Sequence, residues 1–229
     1  MKNRILLVDD DRQMLDVMRR HLEARGFAVS FTDNPSEGLI LARDLKPAAV
    51  ITDAEMPGMD GLTLCRAVKE SAGKSGLPVI LISGKMTDED DILSAYDKGA
   101  DDYLIKPFSM PIMLAKVAAV LRRYSAPAEA GDSIKAEGVE LDPGGRKVTI
   151  KGQPVKLTRK EFDLLALLLT SPGKVLSPGQ LLEKVWGYDP AEYNDTHTVE
   201  VHISNLRKKL GAELSARIAS VTGVGYKFE

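Results

Sequence analysis

Three carboxylates, a hydroxyl and an amine stand at the ends of four short apolar runs, and together they could receive a phosphoryl group. Ile5-Leu6-Leu7-Val8 leads into Asp9-Asp10, and Ala49-Val50-Ile51-Thr52 into Asp53. Val79-Ile80-Leu81-Ile82 leads into Ser83, and Tyr103-Leu104-Ile105 into Lys106-Pro107. Asp53 would be the nucleophile. Two negative charges about 5 Å apart repel by roughly 3 kcal/mol at an effective dielectric near 20. Asp9, Asp10 and Asp53 therefore need a cation, and an all-oxygen donor set favours Mg²⁺. Lys106 would supply a mobile counter-charge, and Ser83 a hydrogen bond to a phosphoryl oxygen. Gly84, without a side chain, would let the backbone come close. Singly, each residue also fits an ordinary role: an acidic helix N-terminus at Asp9-Asp10-Asp11, a turn serine, a solvated lysine. All four at run ends, in order, favour the joint reading.

The elements that must position these groups follow from the spacing. Apolar runs of about four to eight residues, with helical segments between them, read as buried parallel strands. In an open parallel sheet the site lies just beyond the carboxyl ends of the strands. Arg12 to Ala24 has helical spacing (Met14, Val17, Met18, Leu22) and ends at Gly26, and Phe27 to Phe31 is the second strand. Asn34-Pro35 predicts a capped helix to about Asp44. Further helices are expected after the Pro57-Gly58-Met59-Asp60-Gly61 turn, from about Asp90 to Lys98, and from Met110 to Arg123. Residues 1–123 are thus expected to form a doubly wound α/β domain.

With 229 residues there is room for a second domain. Residues 124–134, rich in Ala, Pro, Gly and Ser, read as a linker. From 135 to 229 short strand candidates come first, then a capping box at Thr158-Arg159-Lys160-Glu161. A second helix opens at Ser177-Pro178, and a third runs from about Thr196 to Leu210 with Gly211 as its stop. A glycine-rich hairpin closes the chain. On the third helix Val199, Ile203, Leu206 and Leu210 form a core stripe. The opposite side would carry Thr198, Val201, Ser204, Asn205 and Lys208, with His202 and Lys209 on its flank. That side suits a major groove, and by itself it fits a solvated surface helix equally well. Acid gathers in the first half (17 Lys+Arg against 19 Asp+Glu in residues 1–123) and base in the second (14 against 12 in residues 135–229). Cys65 is the single cysteine, in the apolar pattern of a helix, so no internal disulfide is available. No apolar stretch reaches the roughly 18–20 residues that span a bilayer. A cytoplasmic protein with no membrane partner is expected.

The first half resembles a response-regulator receiver domain. The likeness is carried by Asp9-Asp10, by Asp53 with Met56-Pro57-Gly58-Met59-Asp60-Gly61, by Ser83-Gly84, and by Gly99 through Phe108. It implies a five-stranded sheet of order 2-1-3-4-5 and phosphorylation of Asp53 by a histidine kinase. The backbone carbonyl of Glu55 would join the Mg²⁺ ligands, Ser83 would swing toward the phosphoryl group with the switch residue Tyr103 turning inward behind it, and the Lys106–Pro107 bond would be cis. The second half resembles the α+β winged helix-turn-helix effector domain of OmpR/PhoB-type regulators. Its carriers are Leu157 through Phe162, Leu181 through Gly187, Thr198 through Ile203, Leu206 through Leu210 and Val224 through Phe228. The likeness implies that Thr198, Val201, His202 and Asn205 face bases or nearby phosphates. Arg207, Lys208 and Lys209 would hold the DNA backbone, Lys227 would reach the minor groove, and loop 188–195 would touch RNA polymerase.

The pattern is not followed everywhere. His197 and Ser204-Asn205 stand where the family is often basic. DNA binding should therefore be less salt-steep, by roughly 0.9 log unit for each phosphate left without a cation. Family members dimerise through the helices flanking the fifth strand, and two partners of one usual salt bridge are here Ile92 and Ile112. Either these isoleucines form an apolar dimer contact, or they face their own core. Asp101, Asp102, Lys116 and Arg123 keep the remaining dimer pairs. Glu55 and Lys85 could pair beside the nucleophile and shield a phosphoryl group. The expected function is a non-enzymatic, DNA-binding, phosphorylation-dependent homodimer. Two alternatives remain: a phosphatase using Asp9 and Asp11, and a phosphorylation-independent regulator whose receiver only dimerises.

Overall fold

Strands β1 (Arg4–Val8), β2 (Ala28–Thr32), β3 (Ala49–Asp53), β4 (Val79–Ser83) and β5 (Asp102–Ile105) pair in the order β2-β1-β3-β4-β5, all parallel. Every residue of β3 and β4 is buried. Helices cover both faces, which is why these strands read as continuous apolar runs rather than as an alternation. Among the described residues, the complete helices around this sheet are α1 (Arg12–Ala24), α2 (Pro35–Leu45), α3 (Gly61–Ala72) and α4 (Met110–Ser125). Side chains such as Ile5, Ile51, Ile80, Met18 and Val117 make one core. The computed structural model describes residues 3–72, 76–84, 95–96, 98–125, 133–188 and 196–229. Most of the helix expected from about Asp90 to Lys98 lies outside the described residues.

Local chemistry starts the helices where the sequence predicts. The Asp11 carboxylate accepts from the N–H groups of Gln13 and Met14 and caps α1. Asn34 does the same for α2, with Pro35 in its first turn. Asp11 thus serves as a helix cap next to Asp9, whose Oδ1 accepts the Asp11 N–H at 2.9 Å.

The chain divides into two units, Met1–Tyr124 and Ser125–Glu229. Tyr124 and Ser125 are helical and Ile134 opens a strand, so the expected linker loses residues at both ends. In the second unit β6 (Ile134–Ala136), β7 (Val139–Asp142), β8 (Lys147–Ile150) and β9 (Gln153–Val155) form an antiparallel sheet. Helix α5 (Arg159–Leu169) begins with the Thr158–Glu161 capping box. Helix α6 (Pro178–Leu181) continues into a π-helical turn, Leu182–Trp186. Helix α7 (His197–Arg217) is broken at Gly211 (φ 78°, ψ 167°), the residue expected to stop it. A hairpin of β10 (Ile218–Val221) and β11 (Gly225–Phe228) follows. At Gly225 a Cβ would lie 2.0 Å from the Leu176 carbonyl oxygen, so only glycine lets β11 bridge to Leu176.

Two polar clusters inside the first unit hold residues expected at the dimer face. Asp102 and Lys116 are both buried and pair at 2.9 Å within one chain. Asp101 accepts from Lys69, from the Tyr124 hydroxyl at 2.6 Å and from the Val79 N–H at 2.9 Å. Burial opposes the Asp101 charge, but the Lys69 ammonium and these donors outweigh it and hold its carboxyl below the usual range. A carboxylate taken out of water needs a cation at hand, and each finds one in its own domain. Asp101, Asp102 and Lys116 thus have partners within their own domain. Arg123 is half-buried. Ile112 is partly buried against its own core, the second of the two placements considered, and Ile92 lies outside the described residues. Lys116→Met removes the cation beside buried Asp102 and should cost about 3–5 kcal/mol of receiver stability, read from urea unfolding by circular dichroism. A loss below about 1 kcal/mol would show that the pair does not hold α4 to β5.

Candidate functional site

The carboxyl ends of β1, β3, β4 and β5 bring the predicted groups together. Asp9, Asp10 and Asp53 each place a carboxylate oxygen within 4.8 Å of the others. Lys106 Nζ lies 2.5 Å from Asp53 Oδ2 and 3.5 Å from Asp9 Oδ2. Asp53 Oδ1 accepts the Glu55 N–H at 3.2 Å. Ladder-like bonds continue past the strand ends, Ala54 N to Ile82 O and Lys106 N to Ser83 O, both 2.7 Å, and fix these residues side by side. The Lys106–Pro107 peptide is cis.

Burial tunes the charges. Asp9 is wholly buried, and loss of water followed by repulsion from Asp53 pushes its carboxyl up to about 6, against the opposing Asp11 N–H and Lys106. Burial alone would lower the Lys106 ammonium, but contact with Asp53 and Asp9 outweighs it and raises it. The Ser83 hydroxyl, fully buried, donates to the Glu55 carboxylate. Lys85, expected as the partner of Glu55, lies outside the described residues. Tyr103 is buried.

Gly61, not Gly84, makes the close approach. A Cβ on Gly61 would lie 1.9 Å from the Asp53 carbonyl oxygen, whereas at Gly84 its nearest neighbour would be Lys106 Cβ at an ordinary 3.7 Å. The Gly61 N–H bonds the Ala54 carbonyl at 2.9 Å and draws the start of α3 against the nucleophile's backbone. Spacing had marked Gly61 only as part of a turn. Cys65 is in the core, and burial raises its thiol to about 12.

Helix α7 departs from the expected orientation. Thr198, Val201, His202 and Asn205 are buried, and the outward positions are His197, Glu200 and Lys208, with Ser204 between them and Arg207 beside them half-buried. At about 100° per residue the exposed stripe is turned by roughly 60° from the predicted one. Much of the reason is a second packed flank. His202 meets the Trp186 ring edge-on, with centroids 4.8 Å apart, and its Nδ1 lies 2.7 Å from the Thr198 carbonyl oxygen. Lys160 sits over the other side of that flank, 5.2 Å from the Trp186 ring centroid. Two of the expected backbone cations are engaged as well. Lys209 pairs with buried Glu161 at 2.8 Å, and Arg207 donates to Ile218 O and Ser220 Oγ at 2.6 and 2.9 Å. Lys227 pairs with Glu229 at 2.6 Å.

Residues 5–118 match the model of the response regulator receiver domain, and residues 152–228 that of the C-terminal domain of transcriptional regulatory proteins. The transcriptional regulatory protein PrrA of Mycobacterium leprae is 41% identical, covering 97% of this chain and 94% of its own. An uncharacterized transcriptional regulatory protein of Bacillus subtilis, YclJ, is 39% identical over 99% of both chains. Among solved structures, the OmpR/PhoB homologue DrrB of Thermotoga maritima is 30% identical, with a TM-score of 0.52 over 100% of this chain and 99% of that one. The chain belongs to the OmpR/PhoB-type response regulators.

The family is one of transcription regulators, not enzymes. Receiver domains bind Mg²⁺ at an acidic pocket of this kind, and the residues of this regulator fit it. The donor set is all oxygen, and among the described residues no donor is hydrogen-bonded to buried Asp9 Oδ2.

The raised Asp9 carboxyl gives a pH-dependent cost. The folded state binds this proton more tightly than the unfolded one, so stability falls as pH rises from about 4 to about 6 and stays lower above that. In metal-free buffer Asp9→Asn should therefore stabilise this regulator by about 1–3 kcal/mol at pH 7, with the gain shrinking at pH 4.5. Urea unfolding at both pH values checks it, and equal gains at the two would refute the assignment to Asp9.

Proposed function

We propose that this regulator takes a phosphoryl group on Asp53 from a histidine kinase, dimerises, and binds repeated half-sites in duplex DNA to control transcription in the cytoplasm. The observation that carries the reading is the Asp53 carboxylate, bonded to Lys106 and flanked by two more carboxylates. Mg²⁺ held by Asp9, Asp10, Asp53 and the Glu55 carbonyl would neutralise phosphoryl oxygens during in-line attack. Lys106 offsets charge at the nucleophile and holds one of its oxygens in place. The Ser83 hydroxyl, a short distance along the strand ends, becomes the donor to the arrived phosphoryl group, and buried Tyr103 closes behind it. RNA polymerase is the partner proposed for the 188–195 loop.

The DNA-facing set shifts with the α7 stripe. We assign His197, Ser204 and Lys208 to the groove side, with Arg207 positioning the hairpin that carries Lys227. Thr198, Val201, His202 and Asn205 shape this helix from beneath rather than reading bases.

Acetyl phosphate with Mg²⁺ should phosphorylate the wild type and not Asp53→Asn, and light scattering should show dimers only in the former. Equal DNA affinity of the two proteins under these conditions would favour the phosphorylation-independent alternative. On DNA, Lys208→Ala should lower the slope of log affinity against log salt by about 0.9 at unchanged stability. Lys209→Met should instead destabilise the effector domain, followed through Trp186, the single tryptophan. A salt slope reduced by Lys209→Met and not by Lys208→Ala would reverse the assignment.

A further inference from the structure

Glu55 holds two parts of the receiver site at once. Its backbone N–H donates to Asp53 Oδ1 at 3.2 Å, and its carboxylate accepts the Ser83 hydroxyl proton. Ser83 follows Ile82, the β4 residue in register with Asp53, and is fully buried. A hydroxyl carries a single proton, so Ser83 cannot donate to Glu55 and to a phosphoryl oxygen together.

We propose that Glu55 is a positioning residue: its side chain holds Ser83 in the resting arrangement and opposes recruitment of that hydroxyl by a modified Asp53. The proposal rests on the phosphoacceptor reading of Asp53 and adds to it a resting-state latch. When a phosphoryl group or its mimic occupies Asp53, the Ser83 O–H changes acceptor, from the Glu55 carboxylate to the new oxygen. No covalent bond forms or breaks in that exchange. Glu55 is only half-buried, so its carboxylate keeps access to water once released and is not left as a fully buried charge. A charged acceptor holds a hydroxyl roughly twice as strongly as a neutral one. Glutamine at this position would keep the shape and an acceptor oxygen while weakening the hold. Lys106 makes no such exchange, since its partner is the reacting carboxylate itself.

The test is a double-mutant cycle on the full chain, titrated with beryllofluoride at saturating Mg²⁺ by calorimetry. The four proteins are wild type, Glu55→Gln, Ser83→Ala and the double variant, each checked for an unchanged melting curve. Glu55→Gln should bind the mimic about fivefold more tightly. In the Ser83→Ala background the same change should alter affinity less than twofold, because the latch no longer has the group it holds. A gain that persists in full without the hydroxyl would reveal plain charge repulsion and overturn the proposal. An unchanged or weaker affinity of Glu55→Gln would overturn it too. Failure of the wild type to bind the mimic, matching Asp53→Asn, would remove the phosphoacceptor reading itself and the latch with it.

Discussion

Everything in the receiver follows from placing three carboxylates where four parallel strands end. Like charges this close are tolerable only if something positive stays nearby, and Lys106 supplies it from the end of β5. That ammonium must come from β5, on the other side of β4 from Asp53, so the sheet order β2-β1-β3-β4-β5 is part of the chemistry. Missing hydration, and then repulsion from Asp53, holds the buried Asp9 carboxyl up at about 6 despite Lys106. A folded protein that keeps such a site at neutral pH accepts a stability cost for a place to hold a cation and an anion together.

Much of this was legible in the sequence because it depends on order along the chain. Strand ends follow from where an apolar run stops, and the acids, Ser83 and Lys106 stand immediately after those stops. The caps at Asp11, Asn34 and Thr158 were readable for a related reason: capping is decided within three or four residues. Gly61 was not. Its requirement is set by the Asp53 carbonyl facing it across a turn, a contact that composition does not encode.

Helix α7 shows where periodicity runs out. A stripe of Val199, Ile203, Leu206 and Leu210 locates the most apolar line on the helix, but not how wide the buried arc is around it. Trp186 widens that arc on one side, and His202 turns under it despite its polar ring, with Nδ1 hydrogen-bonded to the Thr198 backbone carbonyl of the same helix. Residue type said "polar, therefore outward". Packing by an aromatic from another helix decided otherwise.

Charge shows the same effect of packing. Lys116, Lys209 and Arg207 read as cations available to a partner, and each is held by a group of its own domain. A buried acid such as Asp102 or Glu161 costs several kcal/mol if left alone, whereas an exposed contact with a phosphate gains little beyond counterion release. For Lys116 and Lys209 that internal partner is a buried acid, whereas Arg207 is held by a carbonyl and a hydroxyl. The outward face of α7 is left with Lys208 and His197 set against Glu200, a thin positive surface for a DNA-binding helix. On the proposed reading, a monomer so equipped holds DNA weakly. Joining two effector domains then adds more to occupancy than improving either one, since the second contact becomes intramolecular. Weak single-domain binding is the condition under which a phosphorylation-driven dimer makes a sharp switch.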